Sequence, residues 1–215
     1  MGVPVLILGE SGSGKSASMR NFKPGEVGII NVSGKPLPFR NQLKTVNTDS
    51  YDDIVKTIIA AKAKAIVIDD AQYLMANEFM RTAKVTGYQK FTDLALNFWK
   101  LIQVVINNLP HDKIVYFMAH VERDANGNEK MKTIGKLLDE KITIEGLFTI
   151  VLKTVVQDRN YQFATQTNGQ DTVKTPMGMF SDLLIENDLK MVDETIREYY
   201  GISAINREEK TNENA

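Results

Sequence analysis

The sequence predicts an α/β fold: a mostly parallel sheet with helices on both faces and a late antiparallel hairpin. Three observations predict it. Short apolar runs recur at residues 3–8, 27–32, 65–68 and 113–118, and runs of this length read as strands buried on both faces. Amphipathic stretches with helical spacing lie among them at 51–63 and 91–107, and strands alternating with helices build a parallel sheet. Two later strand-like runs, 147–156 and 161–166, are joined only by residues 157–160, which reads as a hairpin. A chain of 215 residues fits one domain, with 1–205 as the folded unit and 206–215 as a polar, charged tail expected to be disordered.

Each element follows from its residues. Val3, Val5, Leu6, Ile7 and Leu8 make a buried strand that runs directly into a Gly-rich segment, and the residues after Lys15 open a helix. A Pro24-Gly25 turn precedes the second strand. Ser33-Gly34-Lys35-Pro36-Leu37-Pro38 is excluded from helix and interior strand, because proline lacks the N–H donor. Residues 44–48 read as a short extended piece. Asp49 or Ser50 caps the 51–63 helix, whose Ile54, Ile58 and Ile59 share a face. Ala65-Ile66-Val67-Ile68 ends in Asp69-Asp70, and that pair would also suit the start of a helix near Gln72. Phe91, Leu94, Phe98, Leu101, Ile102 and Val105 form one stripe on the next helix, which Pro110 stops. The 113–118 strand ends at Ala119-His120, and Asn126-Gly127 marks a turn in the polar stretch beyond. Residues 188–200 close the fold as a helix.

Composition narrows the functional classes. Lys and Arg number 26 against 27 Asp and Glu, a formal net charge of −1. No global basic field exists, so any nucleic-acid binding must use local patches. Cysteine is absent, which excludes disulfides and Cys-ligated zinc and suits a reducing cytoplasm. No apolar run approaches the ~18 residues a membrane span needs, so no membrane partner is expected. No basic leader or cleavage signal precedes the first strand, which also points to a cytoplasmic location.

Residues 9–16, Gly-Glu-Ser-Gly-Ser-Gly-Lys-Ser, match the phosphate-binding pattern G-x-x-x-x-G-K-[ST] without a gap. The nucleotide-contacting segment is then Gly9, Glu10, Ser11, Gly12, Ser13, Gly14, Lys15, Ser16 and Ala17. Glycines let the backbone turn tightly and bring its N–H groups to phosphate oxygens. Lys15 is expected to reach the β- and γ-phosphates, and the Ser16 hydroxyl to ligate Mg²⁺. The 65–70 segment supplies the second half of such a site. Mg²⁺ takes one or two carboxylates and keeps waters; Asp69 is placed to hold it through water, and Asp70 to orient or deprotonate the attacking water. His120, at the carboxyl end of a strand, is placed to sense the γ-phosphate. The implied cofactors are ATP and Mg²⁺, and the absence of an NKxD-like guanine motif favours ATP over GTP.

Together GESGSGKS at 9–16, AIVIDD at 65–70, the strand ending in Ala119-His120 and Lys174-Thr175-Pro176 after the hairpin resemble the phage RecA-like P-loop ATPases. These are core-only relatives of RecA described as single-strand-annealing or recombination proteins, and the likeness runs over roughly residues 3–200. The resemblance implies a RecA-like core and a ring or filament of subunits with ATP at the interface. It also implies a basic finger donated in trans by Lys174, with Arg159 in the hairpin turn as a second candidate. Single-stranded DNA, a single-stranded-DNA-binding protein and, if phage-encoded, a host cytoplasm are the implied surroundings. One departure matters. RecA relatives carry a catalytic Glu at the end of the strand after the P-loop helix, where this chain has Ser33, so either Asp70 takes over the work or hydrolysis is slow.

RecA relatives bind single-stranded DNA through loops after the Walker B strand and after the sensor strand. The first matching place, residues 79–91, holds Arg81, Lys84 and Lys90 with no acidic residue, interleaved with Tyr88 and two Phe. Cations that track phosphates and aromatics that stack on bases are what a single-strand site needs. The second, residues 121–141, holds Arg123, Lys130, Lys132, Lys136 and Lys141, balanced by acidic residues. The rival reading is a nucleotide-dependent switch or assembly factor that binds a protein and no DNA. A small-molecule kinase would carry an Arg-rich lid, and the segments after His120 are poor in Arg.

Overall fold

The computed structural model describes residues 1–135 and 137–202; the 206–215 tail and Lys136 lie outside that range. In chain order the elements are β1 (Val3–Gly9), β2 (Val27–Asn31), β3 (Thr45–Asn47), α1 (Tyr51–Ala60), β4 (Ala65–Asp69), α2 (Tyr73–Arg81), α3 (Gln89–Asn108), β5 (Ile114–Arg123), β6 (Glu129–Met131), β7 (Ile150–Gln157), β8 (Asn160–Ala164), β9 (Leu184–Glu186) and α4 (Leu189–Tyr200). The strands lie in the order β3-β2-β4-β5-β1-β7-β8-β9, with β6 attached to β5. From β3 to β7 every pairing is parallel. The β7–β8 hairpin and β9 add the antiparallel edge. The chain is therefore α/β, with a mostly parallel sheet and a late hairpin.

Side-chain alternation along the strands splits the core in two. Leu6 and Leu8 of β1, with Ile66 and Ile68 of β4, face the layer holding α1, α2 and α3. Val5, Ile7 and Val67 face the layer holding Met19 and α4. Both faces are covered, so the central strands carry apolar residues at every position, as a parallel sheet requires. Phe117 sits edge-on to Phe98 and to Phe148, with ring centroids 6.4 and 5.5 Å away. Burying each such side chain is worth roughly 1.5–3 kcal/mol.

The structure revises several boundaries. After Lys15 the chain makes only a six-residue 3₁₀ helix, Ser16–Asn21, before Phe22 turns extended. Pro24 bars the α conformation at Lys23, and a helix this short favours the tighter winding. The first long helix ends at Ala60 rather than at residue 63. There the buried ammonium of Lys113 donates to the carbonyls of Ile58, Ile59 and Ala61 at 2.8, 3.3 and 2.7 Å, closing the helix end. Ser50 is the residue that caps its start, accepting from the Asp53 N–H.

β5 does not stop at Ala119-His120 but continues to Arg123. Its pairing with β1 ends at Gly9↔His120, where β1 turns away. Val121, Glu122 and Arg123 then pair with β6 instead, because their backbone groups still need partners. The Asn126-Gly127 turn is the tip of this arm, with the Asp124 carboxylate accepting from the N–H groups of Asn126 and Asn128. The expected 121–141 loop is thus in part a β-ribbon. The 79–91 segment is helical only at its ends, 79–81 in α2 and 89–91 in α3, with the non-helical residues 82–88 between them.

Candidate functional site

Parallel sheets offer their ligands the carboxyl ends of the strands. Here β1, β4 and β5 bring the 9–16 loop, Asp69 with Asp70, and His120 to one end of the sheet. An open cleft of ≈ 440 Å³ at this end is lined by Gly12, Lys15, Ser16, Ala17, Lys35, Asp69, Asp70 and His120 among others. β5 lies between β1 and β4, so one strand separates the phosphate-loop strand from the strand of the Asp pair.

The loop is built to expose its backbone. A Cβ on Gly9 would fall 1.8 Å from Thr154 Oγ1, so only glycine fits where β1 leaves the sheet. Ser13 turns inward: its hydroxyl donates to the Glu10 carbonyl at 2.6 Å and meets Thr154 Oγ1 at 2.5 Å. Its side chain thus anchors the loop, and its N–H also donates inward to the Glu10 carbonyl at 3.3 Å. Among the described residues the N–H groups of Gly12, Gly14 and Lys15 donate to no protein acceptor. Free N–H groups on a glycine-rich turn form the concavity that anions occupy. Glu10 and Ser11 are exposed at the rim.

Lys15 is buried, and its Nζ donates to the Gly9 and Glu10 carbonyls at 2.8 Å each. Burial lowers its pKa to about 8, opposed by the charges of Asp70, Asp69 and Glu10. Ser16 Oγ donates to Asp69 Oδ1 at 2.9 Å. Burial and the neighbouring Asp70 raise the Asp69 pKa to about 6, against the Ser16 hydrogen bond and Lys15. Asp69 and Ser16, the expected metal pair, therefore touch each other, and these donors fit Mg²⁺. Among the described residues no group of three His, Cys, Asp or Glu could hold a metal alone, and Mg²⁺ characteristically completes its shell with substrate phosphates.

Asp70 follows β4 in the left-handed backbone region, φ 60°, a conformation Asp tolerates better than most residues. Its carboxylate lies 3.5 Å from His120 Nε2 and 3.6 Å from Lys35 Nζ. Burial works against its ionisation, but the hydrogen bonds from His120 and Ser33 and the charges of Lys35 and His120 prevail and lower its pKa. His120 stands edge-on to Tyr73, centroids 6.1 Å apart, and Lys35 lies over the same ring at 5.2 Å. The buried Gln72 carboxamide accepts from the His120 N–H at 3.3 Å. A carboxylate, an imidazole and an ammonium thus meet beside the loop, and Gln72 and Tyr73 position them. The Gln72 and Tyr73 contacts had no signal in the sequence.

Other expected residues lie elsewhere. Lys174 is exposed and joins its backbone to Val151 through two hydrogen bonds, outside the cleft of its own chain. Arg159 occupies the exposed β7–β8 turn with φ 65°. Arg81 is ion-paired with Asp49 at 2.5 Å, and Asn77 bonds the same carboxylate. Lys90 lies over the paired rings of Phe79 and Phe91 at 4.9 and 5.2 Å. Tyr88 is 91% exposed, and among the described residues Lys84 and Lys132 make no ion pair. Arg123 is held by Glu129 at 2.9 Å, and Lys130 lies 3.5 Å from Glu122. Lys153 ties Glu129 and Asp171 together, fixing the β5–β6 arm to β7.

No family model matches the chain, and comparison with curated proteins gives no significant match. Among the described residues no helix is long and apolar enough to cross a membrane.

Proposed function

We propose that this chain is a RecA-like P-loop ATPase that binds ATP with Mg²⁺, hydrolyses it slowly, assembles with copies of itself and acts on single-stranded DNA. The observation that carries the nucleotide reading is the meeting of Lys15, Ser16 and Asp69 beneath three unengaged backbone N–H groups. The placement of β5 between β1 and β4 supports the RecA-like reading.

Ser16 and Asp69 would hold Mg²⁺, which neutralises charge on the phosphate oxygens. Lys15 keeps its proton near neutral pH and presents it to the phosphates. Asp70 stays ionised between His120 and Lys35. A carboxylate with a lowered pKa is a weak proton acceptor, so Asp70 orients the attacking water more than it deprotonates it. That, with Ser33 in place of Glu, is the physical reason for slow turnover. Lys174 or Arg159 of a neighbouring copy would add the missing cation, stabilising charge on the transferring phosphoryl group.

The DNA reading rests on the 79–91 segment, where Tyr88 and Lys84 are exposed together. One observation favours the rival, a nucleotide-dependent assembly factor: Arg81 and Arg123 are each engaged by a carboxylate. Anisotropy of a labelled single-stranded oligonucleotide, with and without ATP and Mg²⁺ at two salt concentrations, separates the two. Nucleotide-dependent, salt-sensitive binding that disappears in the Arg81→Ala, Lys84→Ala double variant supports DNA. No binding, by protein that binds ATP, supports the assembly factor.

A further inference from the structure

The phosphate end of the cleft points toward β4 and β5, where Ser16, Asp69, Asp70 and His120 gather. The opposite flank of β1 in the sheet order belongs to β7, β8 and β9. From there β8 carries Tyr161 onto the loop. A Cβ at Gly14 would lie 2.9 Å from Tyr161 Cδ1, so the ring rests on the glycine itself. Tyr161 lines the cleft and yet remains 48% exposed. Pro36 and Pro38, from the segment after β2, line the same cleft and come from the other side of β1.

Asn187, just after β9, adds a second and independent observation. It is 1% exposed, its amide lies 3.3 to 3.4 Å from the same Gly14 Cβ position, and its Nδ2 has no hydrogen-bond partner. Buried amide donors are rarely left unpaired. This corner of the loop is incomplete in the protein alone. It also offers what a flat heteroaromatic ring requires, an aromatic face and two rigid prolines, with the Arg20 guanidinium held on the Asn187 carbonyl and Glu186 and the Lys35 ammonium at the edge of the cleft.

We propose that Tyr161 is the nucleobase platform of the site, with the base stacked on its ring and facing Pro36 and Pro38. The inference rests on the nucleotide reading above and extends it to the residue that distinguishes a nucleotide from bare polyphosphate. An offset aromatic stack gains from ring overlap and not from the tyrosine hydroxyl.

Calorimetric titration with two probes, ATP with Mg²⁺ and inorganic tripolyphosphate with Mg²⁺, tests it. Tyr161→Ala should weaken ATP about tenfold, the order expected for one lost base–aromatic stack, and leave tripolyphosphate unchanged. Tyr161→Phe should retain ATP affinity, and Tyr161→Leu, which keeps an apolar contact on Gly14, should lose it as Ala does. An equal loss for both probes would make the ring a prop for the loop and overturn the proposal, as would full ATP affinity in Tyr161→Ala. Wild-type protein that binds neither probe overturns the nucleotide reading itself, and this inference with it. Tripolyphosphate binding without any gain for ATP leaves the phosphate site standing and overturns only the base platform.

Discussion

The two ends of the sheet both bury charge and differ in what lies beside it. At the amino ends of the strands, Lys113 donates hydrogen bonds to three carbonyls. Nearby, Arg197 reaches Asp193 at 2.6 Å and the Asp112 carbonyl at 2.9 Å, while Tyr116 donates to Asp193 at 2.8 Å. These groups clasp α1 and α4 to the sheet. Burial lowers the Lys113 pKa and raises that of Tyr116 there, and at the carboxyl ends it likewise lowers that of Lys15 to about 8 and raises that of Asp69 to about 6. Backbone donors beside them stay unengaged. The buried charges at the amino end join α1 and α4 to the sheet, whereas those at the carboxyl end, though they too have internal partners, lie beside unengaged backbone donors, which is where a ligand is expected. Lysine appears at both ends, so residue type alone does not tell the two uses apart.

The sharpest way to break this comparison is to remove a partner at the amino end. Arg197→Ala leaves the Asp193 carboxylate buried without its cation, and loss of one member of such a pair costs about 3–5 kcal/mol. Urea unfolding should show that loss, with nucleotide affinity of the folded protein unchanged. Lys113→Ala should follow at about 2–3 kcal/mol, since it strands buried carbonyls at the end of α1. Wild-type stability in either variant would mean that this end is no more closed than the other.

Lys15→Ala should behave in reverse. It removes a poorly solvated ammonium together with its two hydrogen bonds to the Gly9 and Glu10 carbonyls, effects of opposite sign, so the thermal midpoint should change little. Binding of ATP with Mg²⁺ should fall by about 100-fold, or ~2.7 kcal/mol, through loss of a charge-assisted contact. A variant that binds ATP as wild type does would sink the account of the loop, and one that unfolds would move Lys15 to the structural side of the comparison.

The carboxyl end was the more legible of the two from sequence. The phosphate loop and the Asp pair are contiguous, and their chemistry requires fixed residue types at fixed spacing. Helix and strand positions followed from apolar periodicity, but their ends did not. β5 runs three residues past His120 because β6 meets it, a long-range pairing that local pattern does not encode. The clasp joins Tyr116 to Asp193, 77 residues away, and nothing marks that pairing in the sequence. Tyr161 read only as a strand residue, since its place over Gly14 depends on how the hairpin folds back. The cations at 81 and 123 looked available for the same reason: Asp49 and Glu129, which engage them, become neighbours only in the fold.

The smallest effect expected is also the one that separates the ends by titration. Lys15, with its pKa lowered to about 8, loses its proton as pH rises through that value, and its hold on phosphate goes with it. Asp69, raised to about 6, gains a proton as pH falls through that value and ceases to be a metal ligand. Affinity for ATP with Mg²⁺ should therefore be highest between these values and fall on either side, by at most about tenfold per pH unit for a single proton. Titrations with a fluorescent ATP analogue across roughly pH 5 to 9 would trace both limbs. Phosphate protonation on the nucleotide adds to the acid limb, and Asp69→Asn separates the two contributions, because it keeps the part belonging to the nucleotide and removes the part belonging to Asp69. Arg197→Ala should leave both limbs where they are, since no group of that clasp faces the cleft. Superimposable profiles for wild type and Asp69→Asn would show that the strain on the buried carboxylate has no bearing on the ligand.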